Sequence, residues 1–110
     1  MRITSELFVA QLSRRLFAAG EFAAVLRRGA DAAGAIFVIA RPRSGAVRLF
    51  GPAVQSLSSE SASRLFMEES AGDDAAIDQR FEREARFDPD FWVIEIETDR
   101  PEDFIDIVDG

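Results

Sequence analysis

The 110-residue chain contains no cysteine, histidine, lysine or tyrosine. Without cysteine it has no disulfide, no thiol nucleophile and no thiolate metal site. Without histidine it lacks the commonest general base, the commonest zinc ligand and the usual pH switch. Lysine's absence removes Schiff bases and Ser-Lys pairs, and a Ser-His-Asp triad cannot be assembled either. Acid–base and nucleophilic work is left to Ser, Thr, Asp and Glu, beside thirteen arginines that stay charged at any working pH. Long apolar runs are missing too. The longest, residues 35–40, has six residues, where a membrane span needs about twenty. The first residues show no basic stretch followed by an apolar run, so the expectation is a cytoplasmic protein without membrane contact.

What is present supports one folded domain over residues 1–110. Hydrophobic residues make up 47%, and ten are Phe, enough for a core without covalent staples. Twenty acidic residues against thirteen basic ones give a net charge of −7, which disfavours nucleic acid and anionic membranes as partners. The charge is unevenly spread along the chain. Residues 1–55 carry +5 and residues 56–110 carry −12. Either the two signs form separate surfaces that meet a partner or another copy, or the halves interleave and neutralise each other.

Periodicity predicts an α+β fold: a mostly antiparallel sheet of four to five strands with two main helices packed on it. Thr4 or Ser5 can cap a helix that stops at Gly20. Its wheel gathers Phe8, Val9, Leu12, Leu16, Phe17 and Ala19 in a broad stripe, with Arg14 and Arg15 on the solvent side. Strands are predicted over 22–28, 35–41 and 47–50, in a meander turned at Pro42-Arg43-Ser44-Gly45. The middle one is apolar on both faces and reads as central, with Phe37 in its core. Residues 64–68 form a fourth strand or an irregular edge. Asp73 or Asp74 opens a second helix with Ile77, Phe81 and Ala85 inward and a Glu82–Arg86 pair outward. Pro89 ends it. Residues 91–97 form the clearest strand of the second half. The acidic segment 99–110 is open between a short helix, a final strand and a loose tail.

Three groups of residues are candidates for chemistry or binding. Arg14, Arg15, Arg27 and Arg28 offer planar forks suited to phosphate or carboxylate. Arg27 and Arg28 must leave a strand on opposite faces, so one of them can meet a neighbouring carboxylate instead. The acidic set Asp88, Asp90, Glu95, Glu97 and Asp99 resembles an oxygen-donor site for Mg²⁺ or Ca²⁺. It lacks the lysine that magnesium nucleases place two residues after such a Glu, and it lacks a calcium loop's glycine. Its plainer explanation is a solvated strand face that resists edge pairing. Finally, Asp88-Pro89-Asp90-Phe91-Trp92 is a turn delivering a lone Trp, either to the core or to a partner beside Arg86. Gln55 follows the strand exit Phe50-Gly51-Pro52-Ala53, which has no phosphate-loop spacing.

Taken in order, several stretches resemble a family. They are Arg14-Arg15 with Gly20, Arg27-Arg28-Gly29, Ala33-Gly34-Ala35, Phe50-Gly51-Pro52-Ala53 with Gln55, and Glu84 through Asp88-Pro89-Asp90-Phe91-Trp92 to Glu95. This succession is similar to domain-of-unknown-function family 1491 of alphaproteobacteria. Val54 stands where the family's turn carries Pro, and the tail after Asp99 departs from it. The resemblance implies a small bacterial cytoplasmic protein and brings no reaction with it. The leading functional reading is a non-catalytic protein-binding or accessory module, with a protein partner or self-association and no cofactor. Two alternatives are a Mg²⁺-dependent carboxylate hydrolase of phosphorylated or glycosidic substrates, and a nucleic-acid or nucleotide binder built on Arg14, Arg15, Arg27, Arg28, Arg41 and Arg43.

Overall fold

The computed structural model describes residues 3–53 and 64–109. Helix α1 spans Ser5–Ala18, and the Thr4 hydroxyl caps it by accepting from the Leu7 amide at 3.1 Å. It ends in a Schellman turn: the Gly20 amide donates to Phe17 and the Glu21 amide to Leu16, with Gly20 at φ +78°. Strand β1 follows at Phe22–Arg27, β2 at Ala35–Arg41, β3 at Arg48–Pro52 and β4 at Leu65–Glu69. Helix α2, Asp74–Phe87, is capped by Asp73 accepting from the Ala76 amide and stops before Pro89. Strand β5 is Phe91–Glu97. Within the acidic segment, Pro101–Asp103 makes one 3-10 turn and Asp106–Ile107 a short strand, β6.

The sheet corrects two expectations. It has six strands, not four to five, in the order β1-β5-β2-β3-β4-β6, and it is mixed: three of its five pairings are antiparallel, while β5 runs parallel to β2 and β6 parallel to β4. The meander fails at its first step. Strand β5 lies between β1 and β2, pairing Ala24 with Glu95 on one side and Ile39 with Glu95 on the other. Two strands alike in having apolar residues on both faces, β2 and β5, thus occupy the middle. Parallel neighbours need a long connection, and β3, β4 and α2 supply it.

Each face of the sheet carries one helix. Val9, Leu12 and Leu16 of α1 pack on Trp92, Ile94, Ile96, Ile36, Val38 and Phe50. Ile77, with Phe81 and Ala85 of α2, covers Phe37, Ile39, Leu49, Phe91 and Val93 on the other. The α1 stripe is narrower than its wheel predicts. Phe17 is 53% exposed, while Phe8 is half-buried and touches the Phe66 ring at 5.9 Å. On α2, Arg80 pairs with Glu84 at 2.9 Å; Glu82 and Arg86 form no ion pair among the described residues.

Phe37 is closed in by Phe81 and Phe91, edge-on at 5.5 and 5.6 Å, and by the Arg80 guanidinium above its ring. Phe37→Ala should therefore destabilise the protein by about 3–5 kcal/mol, the usual cost of a truncated core aromatic. A urea midpoint equal to the parent's would contradict this packing.

Candidate functional site

Five of the candidate residues, Arg27, Arg28, Asp88, Asp90 and Trp92, meet at one corner, where the loop after β1 crosses the start of β5. Arg27 and Arg28 do leave the strand on opposite faces. The Arg27 guanidinium lies 4.1 Å from the centre of the Phe91 ring and donates to the Pro89 carbonyl at 2.8 Å. Arg28 lies 4.6 Å over Trp92 and pairs with Glu6 at 2.9 Å and Asp31 at 3.6 Å. Both forks are thereby turned inward, onto rings and oxygens of the same chain.

Trp92 is 1% exposed, and its indole N–H donates to the Ala30 carbonyl at 2.9 Å. It belongs to the core under α1 and offers no ring to a partner beside Arg86. Asp88 accepts from the Asp90 amide at 3.0 Å, closing an Asx turn around Pro89. Gly29 sits against this turn so closely that a Cβ would lie 2.7 Å from the Phe91 carbonyl carbon. The loop also supplies carbonyls from Asp31 and Ala32 to the amides of Glu6 and Ser5, satisfying orphan donors at the start of α1. Ser5 Oγ donates to Gly34 and accepts from Arg64. A cleft of about 370 Å³ opens beside the corner, lined by Ala33, Ile36, Pro52, Arg64, Phe66 and Asp88.

The acidic candidates are spread out. Glu95 accepts from Arg41 Nε at 2.6 Å, and Asp74 takes the same guanidinium at 2.6 Å, so Arg41 joins β2, β5 and the start of α2. These hydrogen bonds, to Asp74 first and then Glu95, raise the arginine's pKa further, while Asp74 is held below the ordinary carboxylate value. Asp99 accepts from the Arg43 amide at 2.6 Å, whereas Glu97 and Asp90 are exposed. Among the described residues, no three acidic groups converge on a point that could hold a metal ion. Gln55 lies outside the described residues.

The remaining arginines divide into engaged and free. Arg48 grips Glu68 with two nitrogens at 2.9 Å and holds its carboxyl below the ordinary value. Arg15 donates to the Phe104 carbonyl, anchoring the C-terminal segment to α1. The pairs of Arg41 with Asp74 and Glu95, and of Arg48 with Glu68, cross between the basic and acidic halves, so part of the charge division cancels inside the fold. Arg14 and Arg86 are exposed and make no ion pair with a described residue.

One feature escapes a reading of charges and motifs. Strand β1 is an outer edge, and Phe22, Val25 and Leu26 on it are exposed, Leu26 by 56%. Phe17 extends this band from α1, its ring edge-on to Phe22 at 5.8 Å. Phe87, 89% exposed, stands at the end of α2, two residues before the Pro89 carbonyl that holds Arg27. The sequence signal was the position of Phe17 at the margin of its helical stripe.

Comparison with known proteins places this architecture. The model of the family described as "Protein of unknown function (DUF1491)" matches residues 3–106. The chain belongs to the DUF1491 family. It is similar to protein Atu0922 of Agrobacterium tumefaciens, a structural-genomics target solved in solution, at 50% identity and a TM-score of 0.87, covering 100% of this chain and 98% of that one. A crystal structure and an NMR structure of DUF1491 family proteins from Caulobacter crescentus are also similar to it. The crystal structure gives 35% identity and a TM-score of 0.79, with 98% of this chain and 99% of that chain covered. The NMR structure gives 35% identity and 0.78, with 98% of each chain covered. A comparison with curated proteins finds no match. No helix among the described residues is long and apolar enough to cross a membrane.

Two outcomes follow from these contacts. Because Glu95 is already bound by Arg41, millimolar Mg²⁺ should leave the melting midpoint within about 2 °C; a shift growing with free Mg²⁺ and lost in Glu95→Gln would contradict this. Glu68 and Asp74 have lowered native pKa values, so their contribution is present at neutral pH and lost as pH falls through those values. Melting midpoints should decline from about pH 5 to about pH 3, and Glu68→Gln should decline less than the parent. Parallel curves would place no pH-linked stability in the Arg48–Glu68 pair.

Proposed function

We propose that this DUF1491 protein is a non-catalytic protein-binding module. The observation that carries the reading is the exposed apolar band of Phe17, Phe22, Val25 and Leu26 on a sheet edge that no described residue pairs. Exposed hydrophobic patches of this kind mark interaction surfaces, and an open edge adds backbone donors and acceptors for an incoming strand. Arg14 lies one turn before Phe17 on α1, and Arg86 immediately precedes Phe87, so Phe17 and Phe87 each have near them in the chain a cation that makes no ion pair with a described residue. The surface therefore fits a partner with an apolar centre and an acidic rim, whose approach the arginines would steer.

The hydrolase alternative draws less support. Glu95, its best-placed carboxylate, is paired with Arg41, and Asp88 is occupied in the turn. The nucleic-acid alternative is weakened likewise, because Arg27, Arg28, Arg41 and Arg43 all have partners within the chain.

The test is capture by the tagged protein from an alphaproteobacterial lysate at roughly 0.15 M salt. The parent is compared with the double variant Phe17→Ser/Leu26→Lys. Captured proteins, including untagged copies of the chain, should be lost in the variant while its melting midpoint changes little, since both side chains are more than half exposed. An unchanged captured set would overturn the reading.

A further inference from the structure

We propose that the partner of the β1 edge is a second copy of this chain, joined by antiparallel β1–β1 pairing about a two-fold axis at Ala24. The proposal rests on the protein-binding reading and deepens it. It comes from the order of residues along the strand, Glu21-Phe22-Ala23-Ala24-Val25-Leu26-Arg27-Arg28. Placing Ala24 on the axis sets Ala23 opposite Val25 of the second copy, and Phe22 opposite its Leu26. Phe22 and Leu26, both exposed, would meet twice across the axis. Phe17, already edge-on to Phe22, would extend each contact.

The ends of the strand complete the match. Its start is acidic: Glu97, opposite Phe22 on β5, is exposed and makes no ion pair with a described residue, while Glu21 is paired with Arg43 at 3.4 Å. Its end is basic through Arg27, which is exposed and makes no ion pair with a described residue, whereas Arg28 is already paired with Glu6 and Asp31. Antiparallel pairing of two copies brings the acidic end of one to the basic end of the other; parallel pairing would set like against like. Ala24 at the centre is small enough to let the two backbones approach. The edge itself carries neither Pro nor Lys, the residues that usually block such pairing. Its one irregularity is a bulge at Leu26, between the Val25–Ile94 and Arg27–Val93 pairs. This limits backbone pairing to the segment around the axis, where Leu26 is 56% exposed. The opposite edge of the sheet, β6, is only two residues long, so the contact closes as a dimer instead of continuing from edge to edge.

The experiment uses the purified full chain in sedimentation equilibrium from about 10 µM to about 1 mM, a range that detects dimers of micromolar to near-millimolar affinity. The molar mass should rise toward twice that of the chain. Leu26→Lys should weaken the dimer by roughly tenfold or more while melting within about 2 °C of the parent. On the unaltered protein, amide shifts that change on dilution should centre on Phe17 and on residues 21–28, which keeps the test independent of any variant's folding. A monomer throughout the range overturns the proposal, as does a dimer whose dilution shifts lie elsewhere or whose affinity survives Leu26→Lys. Monomeric behaviour with capture that still depends on Phe17 and Leu26 would remove the second copy and leave the protein-binding reading standing. Monomeric behaviour with unchanged capture would remove both.

Discussion

The insertion of β5 between β1 and β2 is the constraint on which the other features depend. A strand with neighbours on both sides and a helix over each face must be apolar in both directions, and β5 is, with Phe91 and Val93 toward α2 and Trp92, Ile94 and Ile96 toward α1. Its position makes β1 an edge. It also brings Arg41 of β2 beside Glu95, and carries the Asp88–Trp92 turn against the loop that leaves β1. Gly29 and Gly34 follow from that crossing, since a side chain at either would collide with the backbone of Asp90 or Phe91.

The same crossing explains why so many conspicuous residues turn out to be structural. Arg27, Arg28, Asp88 and Trp92 tie the start of β5 to β1 and its loop, through stacked rings and backbone hydrogen bonds. The residues that carry the family resemblance are in large part the parts of this corner. Their roles in this chain are structural and imply no reaction. Charge is handled in the same way: Arg41 and Arg48 reach carboxylates of the opposite half, leaving Arg14 and Arg86 among the cations facing outward.

Much of the apolar surface that the fold leaves exposed lies along β1. A soluble protein usually protects an edge strand with charge, Pro or a covering element. Here Arg27 and Arg28 guard one end, and much of their charge is drawn back onto Phe91 and Trp92. The centre, Val25 and Leu26, is open, and Phe17 and Phe22 prolong it. An interaction surface therefore arises where the sheet ends, away from the carboxylates and the turn that looked most like sites.

Local chemistry in the sequence determined the elements themselves. Thr4 and Gly20 delimit α1, Asp73 and Pro89 delimit α2, and unbroken apolarity marks β2 as central, because caps, fixed φ and burial on both faces act within a few residues. The missing residue types likewise removed most catalytic constellations outright. Only the tertiary structure decided which strand lies next to which. Antiparallel and parallel neighbours bury the same side chains, so the pattern of β5, like that of β2, marks an inner strand without naming the strands on either side of it. That choice turned Trp92 from a candidate anchor into core and Arg28 from a candidate ligand fork into its cover. It also left Phe22 and Leu26 at the surface, because exposure belongs to a residue's neighbours in space and is not encoded in its own period along the chain.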